Sequence, residues 1–106
     1  MIRGSMIRGT TPTHTFGLPI SKEDIKNITV TYKQDDRIIV EKGIDDVEII
    51  GNKVKVTLTQ QETLRFVAGI RAKAKIGVLG INGKKLSSKR SVNIKVYDGN
   101  NEEVLT

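Results

Sequence analysis

Among these 106 residues there is no cysteine and no tryptophan, and only one histidine, two prolines and four aromatic side chains. Each shortage removes a class of chemistry. Without thiols there is neither a disulfide framework nor a thiolate metal site, a composition suited to a reducing compartment. A single histidine, His14, does not furnish the usual zinc ligand sets. Serine–histidine–acid catalysis would require His14 to lie buried beside a nucleophile and a carboxylate, and its neighbours Thr13 and Thr15 point instead to a plain strand histidine. Four aromatics (Phe16, Tyr32, Phe66 and Tyr97) are few for a sugar-binding platform, since some must fill the core. Apolar runs stop at three residues, as at Ile38-Ile39-Val40, so no segment resembles a membrane span. Arg3 and Arg8 lead into no hydrophobic stretch, which argues against a secretory signal.

Charge is plentiful but unevenly placed. The formal net charge is +6, yet residues 63–97 hold nine basic side chains and no acidic one. Residues 20–62 are net −2, and residues 98–106 are net −3. Such asymmetry bears on partners rather than on fold.

The first nine residues write one phrase twice, MIRGS then MIRGT. A four-residue repeat is far shorter than the 20 or so residues of a structural repeat unit. Met6 is expected to be the natural initiator and residues 1–5 an added leader. Residues 1–9 show no apolar periodicity and are expected to be loose unless a partner orders them. The domain is then residues 10–97, followed by a polar tail at 98–106.

From Thr10 onward apolar residues recur with a period of two, the mark of half-buried strands. NITVTYK sets Ile28, Val30 and Tyr32 on one face and Thr29, Thr31 and Lys33 on the other. QDD turns the chain into RIIVEK. Gly51-Asn52, between VEII and KVKVTL, suits a two-residue hairpin needing positive φ. Thr59 and Glu62 have capping-box spacing and predict one or two helical turns over 60–66. In GIRAKAKIGV, Ile70, Ala72, Ala74, Ile76 and Val78 are expected to face inward while Arg71, Lys73 and Lys75 face outward. SVNIKVY repeats the alternation, with an irregularity or bulge expected near 87–91.

About seven short antiparallel strands with one small helix read as an all-β, immunoglobulin-like two-sheet sandwich. The expected strands are A 11–18, B 27–33, C 37–42, D 45–50, E 53–59, F 69–79 and G 85–97, with the helix between E and F. A barrel closing the same strands remains an alternative.

No motif supplies a reaction centre or a cofactor loop. GVLGING lacks the following helix that gives a phosphate loop its anion affinity, and reads as turn chemistry. The pairs Asp35-Asp36 and Asp45-Asp46 read as turn formers rather than as calcium ligands or glycosidase acids. The basic stretch is the one candidate site. Arg71, Lys73 and Lys75 project from one strand, spaced about 6.6–7 Å at successive i, i+2 positions. If the GING hairpin pairs the last two strands, Lys95 and Lys89 join that face. Three readings stand: a solvated face, an interface for an acidic protein partner, or a nucleic-acid surface that also draws on Lys84, Lys85 and Arg90. Strand-based nucleic-acid binders stack bases on aromatics, and this segment offers only Phe66 and Tyr97.

The segments MIRGTTPTHTFGLPI, ITVTYKQDDRIIVEK and VKVTLTQQETLRF, with the final long hairpin, resemble a group of small proteins encoded by tailed phages and prophages of Gram-positive hosts. The likeness runs from Met6 to about Val96 and is most distinctive at residues 10–16 and 58–66. It implies a non-enzymatic virion structural role in the tail tip, baseplate or head, acting through other virion proteins or self-association. The residues themselves lead to the expectation of no cofactor, no metal and no small-molecule substrate, and the phage setting to a life in the host cytoplasm before the virion. The likeness also implies that Met6 is the native start.

Overall fold

The computed structural model describes residues 3–87 and 92–98. Among these residues the chain is all-β, with two sheets that face each other across one core. The strands are β1 (Arg3–Ile7), β2 (Thr13–Gly17), β3 (Ile25–Gln34), β4 (Arg37–Lys42), β5 (Glu48–Ile50), β6 (Lys53–Thr57), β7 (Ala72–Gly80), β8 (Lys85–Ser87) and β9 (Val92–Tyr97). One short helix, α1 (Gln60–Thr63), lies between β6 and β7. The larger sheet runs β1-β9-β7-β3-β4, with β8 also paired to β7, and the smaller runs β2-β6-β5.

The two-residue rhythm does its expected work. Val30, Tyr32, Val54, Val56, Ala72 and Ile94 are essentially inaccessible to water, and their sequence neighbours face out. Tyr32 and Phe66 meet edge to face, 6.0 Å between centroids at 84°, while Tyr32 reaches Phe16 of the opposite sheet at 6.4 Å. Asp35 (φ 48°) and Asp36 (φ 65°) close the β3–β4 hairpin in the left-handed conformation at both central positions that such turns require. Gly51 (φ 59°) supplies one left-handed position in the turn between β5 and β6.

Strand order departs from the immunoglobulin-like arrangement. There strand B would pair with E; here the corresponding β3 lies between β7 and β4 in the larger sheet and pairs with no strand of the smaller one. Alternation fixes which face of β3 is buried, but both sheets offer an apolar inner face, so it does not choose the partner.

Four expected boundaries also shift. The segment expected to be loose, residues 1–9, contains β1, which pairs parallel to β9, and Met6 is buried in the core. β1 holds only two apolar residues, Met6 and Ile7, too few to show a period, yet one well-placed methionine suffices to anchor an edge strand. The expected strand over 45–50 begins only at Glu48, because the Asp46 carboxylate takes the Gly43 amide at 3.0 Å and holds Ile44–Asp46 in a 3₁₀ turn. The helix ends at Thr63 rather than 66, as the chain turns to bury Phe66. The last strand is divided. Gly77 pairs with Ser87 and Ala74 with Val92, so three steps on β7 answer five on its partner. The irregularity expected at 87–91 falls on residues 88–91, which lie outside the described residues. The expected tail beyond Asp98 lies outside them as well.

Candidate functional site

The basic residues are brought together on the outer face of the larger sheet. Alternation along β7 turns Lys73 and Lys75 outward, both exposed, while Ala72, Ala74 and Ile76 go to the core. Lys33 of β3 stands directly opposite Lys73, and Thr31 opposite Lys75. On the other flank Asn93 of β9 faces Lys73, and Lys95 follows two residues on, also exposed. Arg71, immediately before β7, is exposed as well.

Of the five candidates, Arg71, Lys73, Lys75 and Lys95 thus share one surface. Lys89 and Arg90 lie outside the described residues. Lys84 and Lys85 are not part of the cluster: Lys85 pairs with Leu79, six residues along β7 from Lys73, or about 20 Å. Lys33 is the addition that sequence reading missed. Its outward position was legible in NITVTYK, but its place beside Lys73 depends on β3 pairing with β7.

Two depressions mark this surface. One, of about 540 Å³, is lined by Lys33, Asp35, Asp36, Ile70, Arg71, Lys73 and Lys75. The other, of about 480 Å³, is lined by residues 68–71 and by Lys95, Val96, Tyr97 and Asp98. They meet at Ile70 and Arg71. The loop between them is held from beneath by Gln34, whose side chain is almost wholly buried. Its amide nitrogen donates to the carbonyls of Val67 (3.0 Å) and Ile70 (2.8 Å), and its oxygen accepts from the Val67 amide at 2.8 Å. A buried amide so satisfied fixes the backbone that leads into Arg71.

The remaining polar groups are structural in geometry. His14 on β2 bonds through Nε2 to the Ser5 carbonyl and through Nδ1 to the Tyr32 hydroxyl, both at 3.0 Å. A carbonyl only accepts, so Nε2 carries the hydrogen, and in the neutral ring Nδ1 accepts from Tyr32. The lone histidine therefore ties both sheets and β1 together. Burial, helped by the Glu62 carboxylate, pushes the Tyr32 hydroxyl well above its ordinary value. Glu62 itself closes the expected capping box, with Thr59 N–H donating to its carboxylate at 2.8 Å and its own amide donating to the Thr59 hydroxyl at 3.1 Å. The same carboxylate pairs with Lys42 at 2.7 Å. Partial burial works to raise the Glu62 carboxyl, but the Lys42 ammonium and the Thr59 groups outweigh it and leave it below the usual value.

Among the described residues no group of three or more histidine, aspartate or glutamate side chains is arranged to hold a metal ion. GVLGING forms the β7–β8 hairpin, with Gly83 at φ 85°. No helix of the described residues is long and apolar enough to cross a membrane. No protein-family model, curated protein or solved structure matches the chain.

Proposed function

We propose that this chain is a non-enzymatic structural module of a phage virion, in the tail tip, baseplate or head, working through protein–protein contacts. The observation that carries the reading is the cationic outer face of the larger sheet. Lys33, Arg71, Lys73, Lys75 and Lys95 gather there on rigid strands, and such a face recruits and orients an acidic partner. The likeness of residues 10–16 and 58–66 to phage-encoded proteins supplies the setting, with assembly in the host cytoplasm and residence in the particle. The one histidine is engaged through both ring nitrogens in holding the fold, which fits a building block better than a catalyst.

The test is association. Light scattering coupled to size exclusion, and purification of particles from producing cells, should find the chain in an oligomer or bound to another virion protein. A monomer that joins no particle contradicts the reading.

A second reading, a nucleic-acid-binding β module, is favoured by Tyr97, half exposed beside Arg71 and Lys95. It requires affinity that falls steeply with salt, with a log–log slope of about −0.7 per phosphate neutralised on a single strand. Anisotropy titrations at low salt that show no binding to single-stranded or duplex DNA remove it.

A further inference from the structure

The two depressions share Ile70 and Arg71 in their linings and adjoin there, as unlike halves of a surface groove divided by the loop that carries these residues. Toward β3 and β7 the rim is cationic, with Lys33, Lys73 and Lys75. Toward β9 the lining is mostly apolar, with Ala68, Gly69, Val96 and the ring of Tyr97. We propose that this groove binds an extended acidic protein segment bearing one apolar side chain. Its carboxylates meet Arg71, Lys73 and Lys75, and its apolar side chain enters the recess beside Tyr97. The proposal rests on the assembly reading above and specifies the chemistry of the partner.

Three observations carry it. Lys33 and Lys73 stand opposite each other on adjacent strands, a like-charge pair that is unfavourable in the free protein and is relieved by a bound anion. The alternate residues Lys73 and Lys75 repeat at about 6.6–7 Å, the spacing at which an extended chain presents every second side chain. Acidic residues at alternate positions thus match them. The loop dividing the two halves is fixed by the three hydrogen bonds of buried Gln34, so the groove is formed before a partner arrives.

Asp35 and Asp36 decide between protein and nucleic acid. Both residues line the cationic half. A phosphodiester backbone has no donor to offer them, whereas a peptide brings amide N–H groups. The mixed rim therefore suits an acidic peptide better than a polyphosphate.

The probe is a fluorescein-labelled decapeptide with aspartate at alternate positions and one leucine, made with the leucine before or after the aspartates. Its partners are the same peptides with serine for leucine, and a 20-nucleotide oligothymidine. Anisotropy with the full chain should show one leucine peptide binding about tenfold tighter than its serine counterpart, the effect of burying one apolar side chain. Arg71→Glu should weaken both at least tenfold. Tyr97→Ala should abolish the preference for leucine while leaving the serine peptide unaffected. Lys85→Glu, outside the groove, should change neither, and far-UV circular dichroism should report every variant folded. Equal binding of leucine and serine peptides, tighter binding of oligothymidine, or an equal loss in Lys85→Glu overturns the proposal. If the peptides fail while the chain still enters particles, the groove assignment falls and the assembly reading stands. If the peptides bind but the chain enters no particle, the reverse holds.

Discussion

Lys33 and Lys73 occupy directly opposed positions on β3 and β7, two ammonium side chains on one face of adjacent strands. Opposed like charges in a sheet destabilise by about 0.2–1 kcal/mol, and the neighbouring Lys75 and Arg71 add to the field. A sheet selected for stability alone would alternate signs here. Lys73→Thr removes the repulsion and places a good strand former at an exposed site. Urea unfolding should show this variant more stable than the parent by about 0.5 kcal/mol. A loss of stability would mean that the lysines are already compensated within the fold.

Gln34 is the groove's internal support. Replacing it with leucine keeps the bulk but leaves the Val67 N–H and the Val67 and Ile70 carbonyls without their partner. Unsatisfied buried polar groups cost about 1–3 kcal/mol each, reduced where the loop relaxes toward water. Gln34→Leu should lose roughly 2–4 kcal/mol in denaturant unfolding, with faster amide exchange at Val67. A change confined to a few tenths would show that the loop is held by other contacts.

Two groups contribute to the response to pH with opposite signs. The Glu62 carboxyl titrates lower in the fold than its ordinary 4.5, so its contribution is complete above that value and is lost as pH falls through the folded value. The Tyr32 hydroxyl is raised from 10.0, so its contribution is complete below that value and is lost as pH climbs beyond it. These two groups should therefore make stability fall at both ends of the pH range. Glu62→Gln should flatten the acid limb below its ordinary 4.5, and Tyr32→Phe the alkaline one above 10.0. Unfolding midpoints measured across pH check both, and an unchanged acid limb in Glu62→Gln contradicts this assignment.

Met6 tests whether the N-terminal segment belongs to the fold. It is 2% exposed in β1 against β9, and truncating a buried methionine typically costs about 2–5 kcal/mol. Met6→Ala should lower stability by an amount in that range. A loose leader would give no change.

Much of this architecture was legible because a two-residue period leaves few options. Tyr32, Val54, Ala72 and Ile94 are buried where alternation places them, and Thr59 with Glu62 forms the box that its spacing announces. What alternation cannot specify is which strand sits beside which. That choice depends on how the two apolar faces fit each other, and it put β3 against β7 rather than β6. The site inherited the same gap. Arg71, Lys73, Lys75 and Lys95 are on the face expected of them, but Lys33 joins them only through a pairing 40 residues apart in sequence. The role of Gln34 was equally hidden, since a polar residue at the end of a strand looks solvated until the loop that covers it is known.

The account turns on the cationic face being the surface of assembly. The direct measurement is the amount of chain in particles purified from producing cells, for the parent and for Arg71→Glu/Lys73→Glu/Lys75→Glu. The account predicts that the parent enters at a fixed stoichiometry, while the triple variant, folded by circular dichroism, is excluded. Equal incorporation of both would contradict it.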